Sequence, residues 1–121
     1  MFRVYNNEQK EWVKEYVYLN QTDELFLIKR GLFGAVKIPL DSDKYIYHRD
    51  INLYDKNNVL VYEGDYILAN ISEDKKVVGL VAYAHELSSY VILCVDSDDF
   101  YTLGSEVTEY IEVVGNVFDG Y

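Results

Sequence analysis

The chain has one cysteine, one proline and no long apolar run. These shortages argue against disulfide-bonded and membrane-spanning proteins. The 121 residues include one cysteine, Cys94, which has no partner in the chain for a disulfide and lies in an apolar run typical of an inert core thiol. No apolar run approaches the roughly 20 residues that span a bilayer, and the first residues lack a signal-peptide pattern. We therefore expect a cytoplasmic protein with no membrane contact.

Basic residues are also scarce, and most of them lie in the first half. The chain has 21 acidic and 11 basic side chains, for a formal charge of -10. Residues 1–50 hold eight of each sign, whereas residues 51–121 hold three basic and thirteen acidic side chains. Because an acidic field repels phosphate, nucleic acid binding by the second half is disfavoured. The excess suits either solubility or a surface that meets a basic partner or imitates a nucleic acid.

Hydrophobic residues, by contrast, are plentiful: they make up 50% of the chain, with 13 Tyr and 5 Phe. Such a chain is too apolar to be disordered, and its short runs of Val, Ile, Tyr and Phe predict an all-β fold. An amphipathic helix over residues 8–19 is the competing interpretation of that segment. Short polar turns, one of them at residues 104–106, separate the segments that are predicted to be extended. The predicted strands are 2–5, 12–19, 25–29, 35–40, 45–53, 60–62, 66–70, 77–84, 90–95, 100–103 and 110–118.

The change of charge near residue 50 predicts a division of the chain into two parts. One proline and the lack of a Gly/Ser-rich stretch argue against a flexible linker, so we expect two packed subdomains. They are an N-terminal β subdomain over residues 1–52 and a C-terminal part over residues 53–121. The regularly spaced turns of the second part favour a small barrel or sandwich, with Gly79 bending a long strand.

The aromatic residues of the first half predict a surface for self-association. Trp12, Tyr16 and Tyr18 lie in a subdomain too small to have much core of its own, and such residues are enriched at interfaces. The rival use is an aromatic platform for single-stranded nucleic acid, which needs a basic groove around it. The residues of the first half that could form such a groove are Arg3, Lys10, Lys14, Lys29, Arg30, Lys37 and Arg49.

Catalytic and metal-binding patterns are lacking. His48 and His85 have no second ligand at metal-binding spacing, and the apolar run around Cys94 argues against the exposed thiolate that a Cys/His nucleophile needs. Asp96 to Asp99 begins like a calcium loop but continues with Phe100, Tyr101 and Val107, where an oxygen ligand, glycine and glutamate are needed. We therefore interpret this segment as an acidic turn between strands, with weak divalent-ion binding as the alternative. We therefore expect that the protein is not an enzyme and that it binds neither a cofactor nor a metal ion.

The stretch from Leu53 to Ile67, LYDKNNVLVYEGDYI, resembles the signature of the YopX family of phage and prophage proteins. The opening residues 2–5 with Trp12, and the closing residues 112–118, resemble the family's first and last strands. Asn52 and Asn58 stand where the family usually has glycine. Because asparagine tolerates positive φ better than most residues, the turn geometry can survive both changes.

This resemblance implies an all-β protein in two parts, with an N-terminal subdomain that mediates self-association and a C-terminal SH3-like barrel. It brings no catalytic residues. The residues themselves favour a structural motif, in which Asp55, Asn57 and Asn58 make a tight reversal. Gly64 then turns the chain so that Asp65 can accept hydrogen bonds from nearby amides.

Together these observations predict a non-enzymatic phage or prophage accessory protein. It would oligomerise through its N-terminal half and present an acidic barrel to an unknown host or phage protein. The alternative is a module that binds single-stranded nucleic acid through the N-terminal half, because the acidic second half disfavours such binding.

Overall fold

The computed structural model describes residues 1–104 and 110–121, and it confirms the all-β prediction. A 3-10 helix over His85–Leu87 accompanies twelve strands in these residues. The strands are β1 (Phe2–Asn6), β2 (Glu11–Trp12), β3 (Val17–Leu19), β4 (Leu25–Gly31), β5 (Gly34–Pro39), β6 (Tyr45–Tyr54), β7 (Leu60–Tyr62), β8 (Asp65–Ser72), β9 (Lys75–Ala84), β10 (Ser89–Cys94), β11 (Phe100–Thr102) and β12 (Ile111–Asn116).

One strand prediction differs from the structure, and one predicted turn falls largely on residues that it does not describe. The segment 12–19, predicted as one strand with a helix as its alternative, is neither, because β2 ends at Trp12 and β3 begins at Val17. The turn predicted at residues 104–106 lies mostly outside the described residues. No helix in the described part of the chain is long and apolar enough to cross a membrane.

The chain divides into two compact units, Met1–His48 and Arg49–Tyr121. The sequence placed the boundary four residues later, after residue 52. The difference arises because the division falls within β6 and not at a loop. A change of charge along one strand does not show where its packing partners change. We call residues 1–48 the N-terminal unit and residues 49–121 the C-terminal unit.

The C-terminal unit is built on an antiparallel sheet with the order β11-β10-β9-β8-β12. Alternate residues of β8 point inward, as its burial pattern shows, with Ile67 and Ala69 fully buried. To the same cluster β9 contributes Val81 and β10 contributes Ile92. These side chains form one continuous core with Val61 and Ile111. The period-two pattern of the sequence therefore folds into a sheet with a filled inner face.

Gly79 is required in this unit for close packing. A Cβ at this position would lie 2.8 Å from the Cβ of Ile92 on β10, closer than side chains approach in practice. The sequence assigned this glycine to a bend in a long strand. The structure shows a buried residue that pairs with Ile67 and Cys94 across its neighbouring strands.

The N-terminal unit contains two strand arrangements. β1 pairs antiparallel with β2 through Tyr5↔Trp12, and it lies between β2 and β6 in the sheet order. A separate meander has the order β3-β4-β5. In residues 1–48, all of which are described, the buried hydrophobic side chains are Val4, Tyr5 and Leu25. This unit therefore has far less core than the C-terminal unit.

Candidate functional site

The β3-β4-β5 sheet of the N-terminal unit exposes much of its apolar surface. Every residue of β5 is exposed, including Val36 and Ile38, and a single residue of β4, Leu25, is buried. Tyr18 on β3 lies directly opposite Phe26 on β4, with 6.3 Å between their ring centroids. Contiguous exposed apolar surface marks an interaction site when it is larger than a few hundred Å². We therefore treat this sheet as the candidate functional surface.

A lysine lies over the aromatic pair of this sheet. Lys37 Nζ is 4.8 Å from the ring centroid of Phe26 and 5.8 Å from that of Tyr18. These distances are those of cation–π contacts. The apolar surface formed by this aromatic pair therefore carries a positive charge.

The tip of the β4–β5 hairpin is the most exposed apolar feature of the unit. The connection consists of Leu32 and Phe33, which are 98% and 103% exposed, between the paired residues Gly31 and Gly34. Gly34 has φ of +120°, a conformation that L side chains rarely adopt. Glycine therefore allows a tight turn that places two large apolar side chains at the end of the hairpin.

The hairpin is also basic. Residues 25–40 contain Lys29, Arg30 and Lys37 and no acidic residue. All three basic side chains are exposed. The hairpin thus combines an apolar tip with positive charge on both strands.

A groove lies at the other end of this hairpin, with a volume of about 480 Å³. Phe26 and Pro39, which pair with each other across β4 and β5, contribute to its lining. Tyr45 and Tyr47 of β6 also line it, and Asp23 and Glu24 supply acidic groups. The site is apolar with a few polar groups, as small-ligand and side-chain sites usually are.

Glu24 is held in place by its own turn. Its Oε1 accepts hydrogen bonds from the hydroxyl of Thr22 at 2.8 Å and from the amide of Asn20 at 3.2 Å. These two hydrogen bonds, with a smaller contribution from the charge of Lys37, lower the pKa of Glu24. The acidic group of the groove is therefore ionised at neutral pH and fixed in position.

The three residues predicted for self-association have different neighbours in the structure. Trp12 is half-buried, with its ring 5.1 Å from that of Tyr5 and 4.6 Å from the guanidinium carbon of Arg3. Tyr16 is 85% exposed, and Tyr18 is 46% exposed. Trp12 thus helps to hold the unit together, whereas the two tyrosines are accessible.

The sequence prediction missed the hairpin tip and the groove. The sequence GLFG was the signal for the tip. Two large apolar residues between glycines in a turn are an unusual exposure of apolar surface, and they indicate a contact with something else. The groove had no local signal, since its lining comes from β4, β5 and β6 together.

Asp55 is the centre of the turn motif in the C-terminal unit. It is buried, and its Oδ1 accepts hydrogen bonds from the backbone N–H groups of Asn57 and Val59, both at 2.8 Å. Its Oδ2 accepts one from the N–H of Val113 on β12 at 2.9 Å. Burial acts to raise the pKa of Asp55, but these three donors and the nearby Lys56 lower it on balance. The carboxylate joins a local turn to a strand far away in the sequence.

Asn58 and Gly64 lie in the β6–β7 and β7–β8 connections, Asn52 lies within β6, and Asp65 begins β8. Asn58 has φ of 65° and Asn52 has φ of 58°, so both adopt the left-handed conformation for which asparagine is suited. Gly64 has φ of 83°. Asp65 is 1% exposed, and its Oδ2 accepts a hydrogen bond from the N–H of Tyr62 at 2.8 Å. The carboxylates of the motif, Asp55 and Asp65, therefore accept hydrogen bonds from backbone N–H groups.

The other titratable candidates are dispersed. Burial, with the charge of Arg3, lowers the pKa of His48 to about 4, whereas His85 is exposed. Cys94 lies half-buried at the end of β10, outside the buried core in which the sequence had placed it. Among residues 1–104 and 110–121, no group of three or more His, Cys, Asp or Glu is placed to hold a metal ion. Val107 of the calcium-like pattern lies outside those residues.

The acidic surplus of the C-terminal unit is displayed in its turns. Exposed carboxylates occur in the β8–β9 connection, in the 3-10 helix and in the β10–β11 connection. They are Glu73, Asp74, Glu86, Asp96, Asp98 and Asp99. Charges in exposed turns add little to stability, so their effect is on solubility and encounter.

Comparison with known proteins agrees with this architecture. The model of the family described as YopX protein matches residues 1–120. The crystal structure of protein yopX from Bacillus subtilis is similar over 97% of this chain and 91% of its own, with a TM-score of 0.62 and 14% identity. Protein EF1440 from Enterococcus faecalis is similar over 97% and 92%, with a TM-score of 0.52 and 18% identity. No curated protein matches. At these identities the two structures show a shared fold.

Proposed function

The chain belongs to the YopX family, and from that premise we propose that it is a non-enzymatic phage or prophage accessory protein of the cytoplasm. It self-associates through its N-terminal unit and presents an acidic C-terminal barrel of the SH3-like kind to a host or phage protein. The phage setting and the SH3-like form are what the resemblance implies. The two interaction roles are argued from the surfaces.

Self-association is supported by the exposed β3-β4-β5 sheet, which is the single observation that carries the proposal. Val36 is 54% exposed and Ile38 38% exposed on one face of the sheet, and Tyr18 is 46% exposed on the other face, where it contacts Phe26. Burying an apolar surface contributes about 25 cal/mol per Å², so covering this sheet with a second copy stabilises both copies. The N-terminal half carries no net charge, and two such surfaces can therefore approach without repulsion.

The acidic barrel is the better candidate for a second, different partner. Two copies of this unit repel each other, since residues 51–121 carry a formal charge of -10. A basic protein surface is attracted by the same field, mainly through faster encounter. We therefore assign the two halves to two kinds of partner.

Sedimentation velocity over a range of concentrations tests the self-association. We expect a dimer or larger species at micromolar concentration, and we expect it to persist in high salt, because an apolar interface is not screened. A monomer at high micromolar concentration would overturn this part of the proposal. Affinity capture from lysate of the host cell, followed by mass spectrometry, then identifies what the acidic unit binds.

A second candidate function, binding of single-stranded nucleic acid, is favoured by the basic hairpin. Lys29, Arg30 and Lys37 flank Phe33, and aromatic side chains next to basic residues stack on bases. A salt titration with generic single-stranded DNA and RNA separates the two functions. Binding that persists at physiological salt, and that is lost when the three basic residues are changed to glutamine, would favour this second function.

A further inference from the structure

We infer that the hairpin tip of one copy, Leu32 and Phe33, inserts into the groove at the base of the hairpin of a second copy. The inference rests on the proposed self-association and names its contact. Four observations support this inference. The tip is apolar and exposed, and the groove has a lining that suits it. The tip and the groove of one copy lie far apart along the hairpin, and they carry charges of opposite sign.

The tip is not covered by its own chain. Leu32 and Phe33 are 98% and 103% exposed, which is as much as these side chains can expose. Large aromatic side chains that enter a pocket of a partner are the usual anchors of protein interfaces. Because the turn between Gly31 and Gly34 is tight, little conformational entropy is lost when it binds.

The groove has the size and lining to receive such an anchor. Its volume of about 480 Å³ falls within the roughly 300 to 1,000 Å³ of sites that enclose small ligands. Phe26, Pro39, Tyr45 and Tyr47 supply aromatic and apolar contacts. A phenyl ring from outside can therefore pack on aromatic rings in it.

The groove of the same copy is out of reach of the tip. Phe26, which lines the groove, and Gly31, which precedes the tip, are five residues apart on β4. At about 3.4 Å per residue, they are separated by roughly 17 Å along a stiff hairpin. A tip that fills such a groove therefore comes from another molecule, and every copy of this chain supplies one.

Opposite charges accompany the two surfaces. Lys29 and Arg30 lie two to three residues before Leu32 at the tip, while Asp23 and Glu24 line the groove. Lys37 lies over the ring of Phe26 and offsets part of the negative charge. The fixed carboxylate of Glu24 still gives the arriving Arg30 a partner of opposite sign, which favours this orientation over others.

Two copies can make both contacts at once. When two hairpins lie side by side in opposite directions, each tip meets the base of the other, and a closed two-fold dimer results. The second contact is then intramolecular and strengthens the first without any new surface.

The first test removes the anchor. Sedimentation of Phe33→Ser measures the dissociation constant, and we expect it to rise about tenfold or more, as for a central aromatic anchor. Leu87→Ser is the matched control, since Leu87 is 49% exposed and lies in the C-terminal unit. Its dissociation constant should equal that of the wild type. Phe33 is fully exposed, so the variant should fold, and circular dichroism checks this.

The second test exchanges the charges. Arg30→Glu and Glu24→Arg each place like charges together and should weaken self-association about tenfold. An equimolar mixture of the two variants should form a mixed dimer in which both contacts again join opposite charges. Recovery to near wild-type affinity in the mixture supports the inference, because a merely structural role of either residue would not produce it.

The remaining outcomes overturn it. If the wild type associates and Phe33→Ser associates equally well, the inference fails while the proposed self-association stands. If the wild type is monomeric at high micromolar concentration, both fail. Loss of binding to single-stranded DNA or to anionic vesicles in Phe33→Ser, with unchanged self-association, would assign the tip to another kind of partner.

Discussion

The two units use their apolar residues in different ways. The C-terminal unit buries Val61, Ile67, Ala69, Val81, Ile92 and Ile111 in one core. The N-terminal unit leaves a whole strand, β5, exposed together with the apolar tip of its hairpin. A unit whose core is complete can carry a strongly acidic surface, because it needs no second copy. A unit with little core would gain stability from the proposed self-association, which its balanced charge does not oppose.

Their carboxylates differ in the same sense. In the C-terminal unit, Asp55 and Asp65 are buried and accept backbone hydrogen bonds that hold strands and turns together. In the N-terminal unit, Glu24 is exposed and bonded within its own turn. Buried carboxylates therefore hold strands and turns of the C-terminal fold together, whereas the hydrogen bonds of Glu24 stay within one turn.

The largest expected effect comes from removing part of the C-terminal core. Ile67 is fully buried, so Ile67→Ala leaves a cavity, and we expect the free energy of unfolding to fall by about 3 to 4 kcal/mol. Amide hydrogen exchange of β8 and β9 measures the loss. Val36→Ala on exposed β5 is the control, with less than about 0.5 kcal/mol expected. Equal losses in the two variants would contradict the contrast between the units.

A smaller loss is expected from the buried carboxylate. Asp55→Ala leaves the N–H groups of Asn57, Val59 and Val113 without their acceptor, and we expect the free energy of unfolding to fall by about 2 to 3 kcal/mol. Asp55→Asn, which keeps one acceptor oxygen, should lose about half as much. Urea denaturation followed by circular dichroism measures both. If Asp55→Ala were as stable as the wild type, the motif would not be structural.

A still smaller loss of stability is expected in the N-terminal unit at acid pH, where His48 becomes protonated. His48 is neutral in the folded protein because its pKa is lowered to about 4, first by burial and then by Arg3. The unfolded chain binds a proton below about pH 6.5, so the stabilisation is complete above that pH and is lost as the pH falls towards 4. We expect a loss of about 2 kcal/mol, allowing for solvent screening.

The measurement of this effect uses the single tryptophan, Trp12, which lies in the N-terminal unit. Urea denaturation followed by its fluorescence at neutral and acid pH gives the pH dependence. His48→Gln should flatten the curve between the two pKa values, whereas His85→Gln, at an exposed position, should not. An unchanged slope in His48→Gln would show that other groups cause the acid response.

The sequence predicted the C-terminal unit better than the N-terminal one, for a physical reason. Strands such as β8 alternate buried and exposed residues, and turns such as Asp55 to Asn58 carry their own conformational preferences. These signals are local. The role of Gly79 was missed because it depends on Ile92, which belongs to another strand.

In the N-terminal unit the aromatic residues indicated an interface without showing which of them are accessible. Trp12 and Tyr16 are four residues apart, yet Trp12 packs on Tyr5 and Tyr16 is 85% exposed. The break between β2 and β3 separates them. Composition alone could not reveal this break, because Val13 and Val17 both favour strands.

The smallest expected effect on stability comes from a change at Tyr16, and it tests whether Tyr16 is accessible while Trp12 is packed. Because Tyr16 is 85% exposed, Tyr16→Ser should change the free energy of unfolding by less than about 0.5 kcal/mol, measured by Trp12 fluorescence in urea. If Tyr16 belongs to the self-association surface, the dissociation constant measured by sedimentation should rise about threefold, a peripheral contribution. Trp12→Phe is the control for packing, because it replaces the ring that contacts Tyr5 with a smaller one. We expect this variant to be less stable, with the accessible tyrosines unchanged. Circular dichroism measures its stability. A stability loss in Tyr16→Ser without any change in association would show that the exposed tyrosine acts within the unit, as Trp12 does.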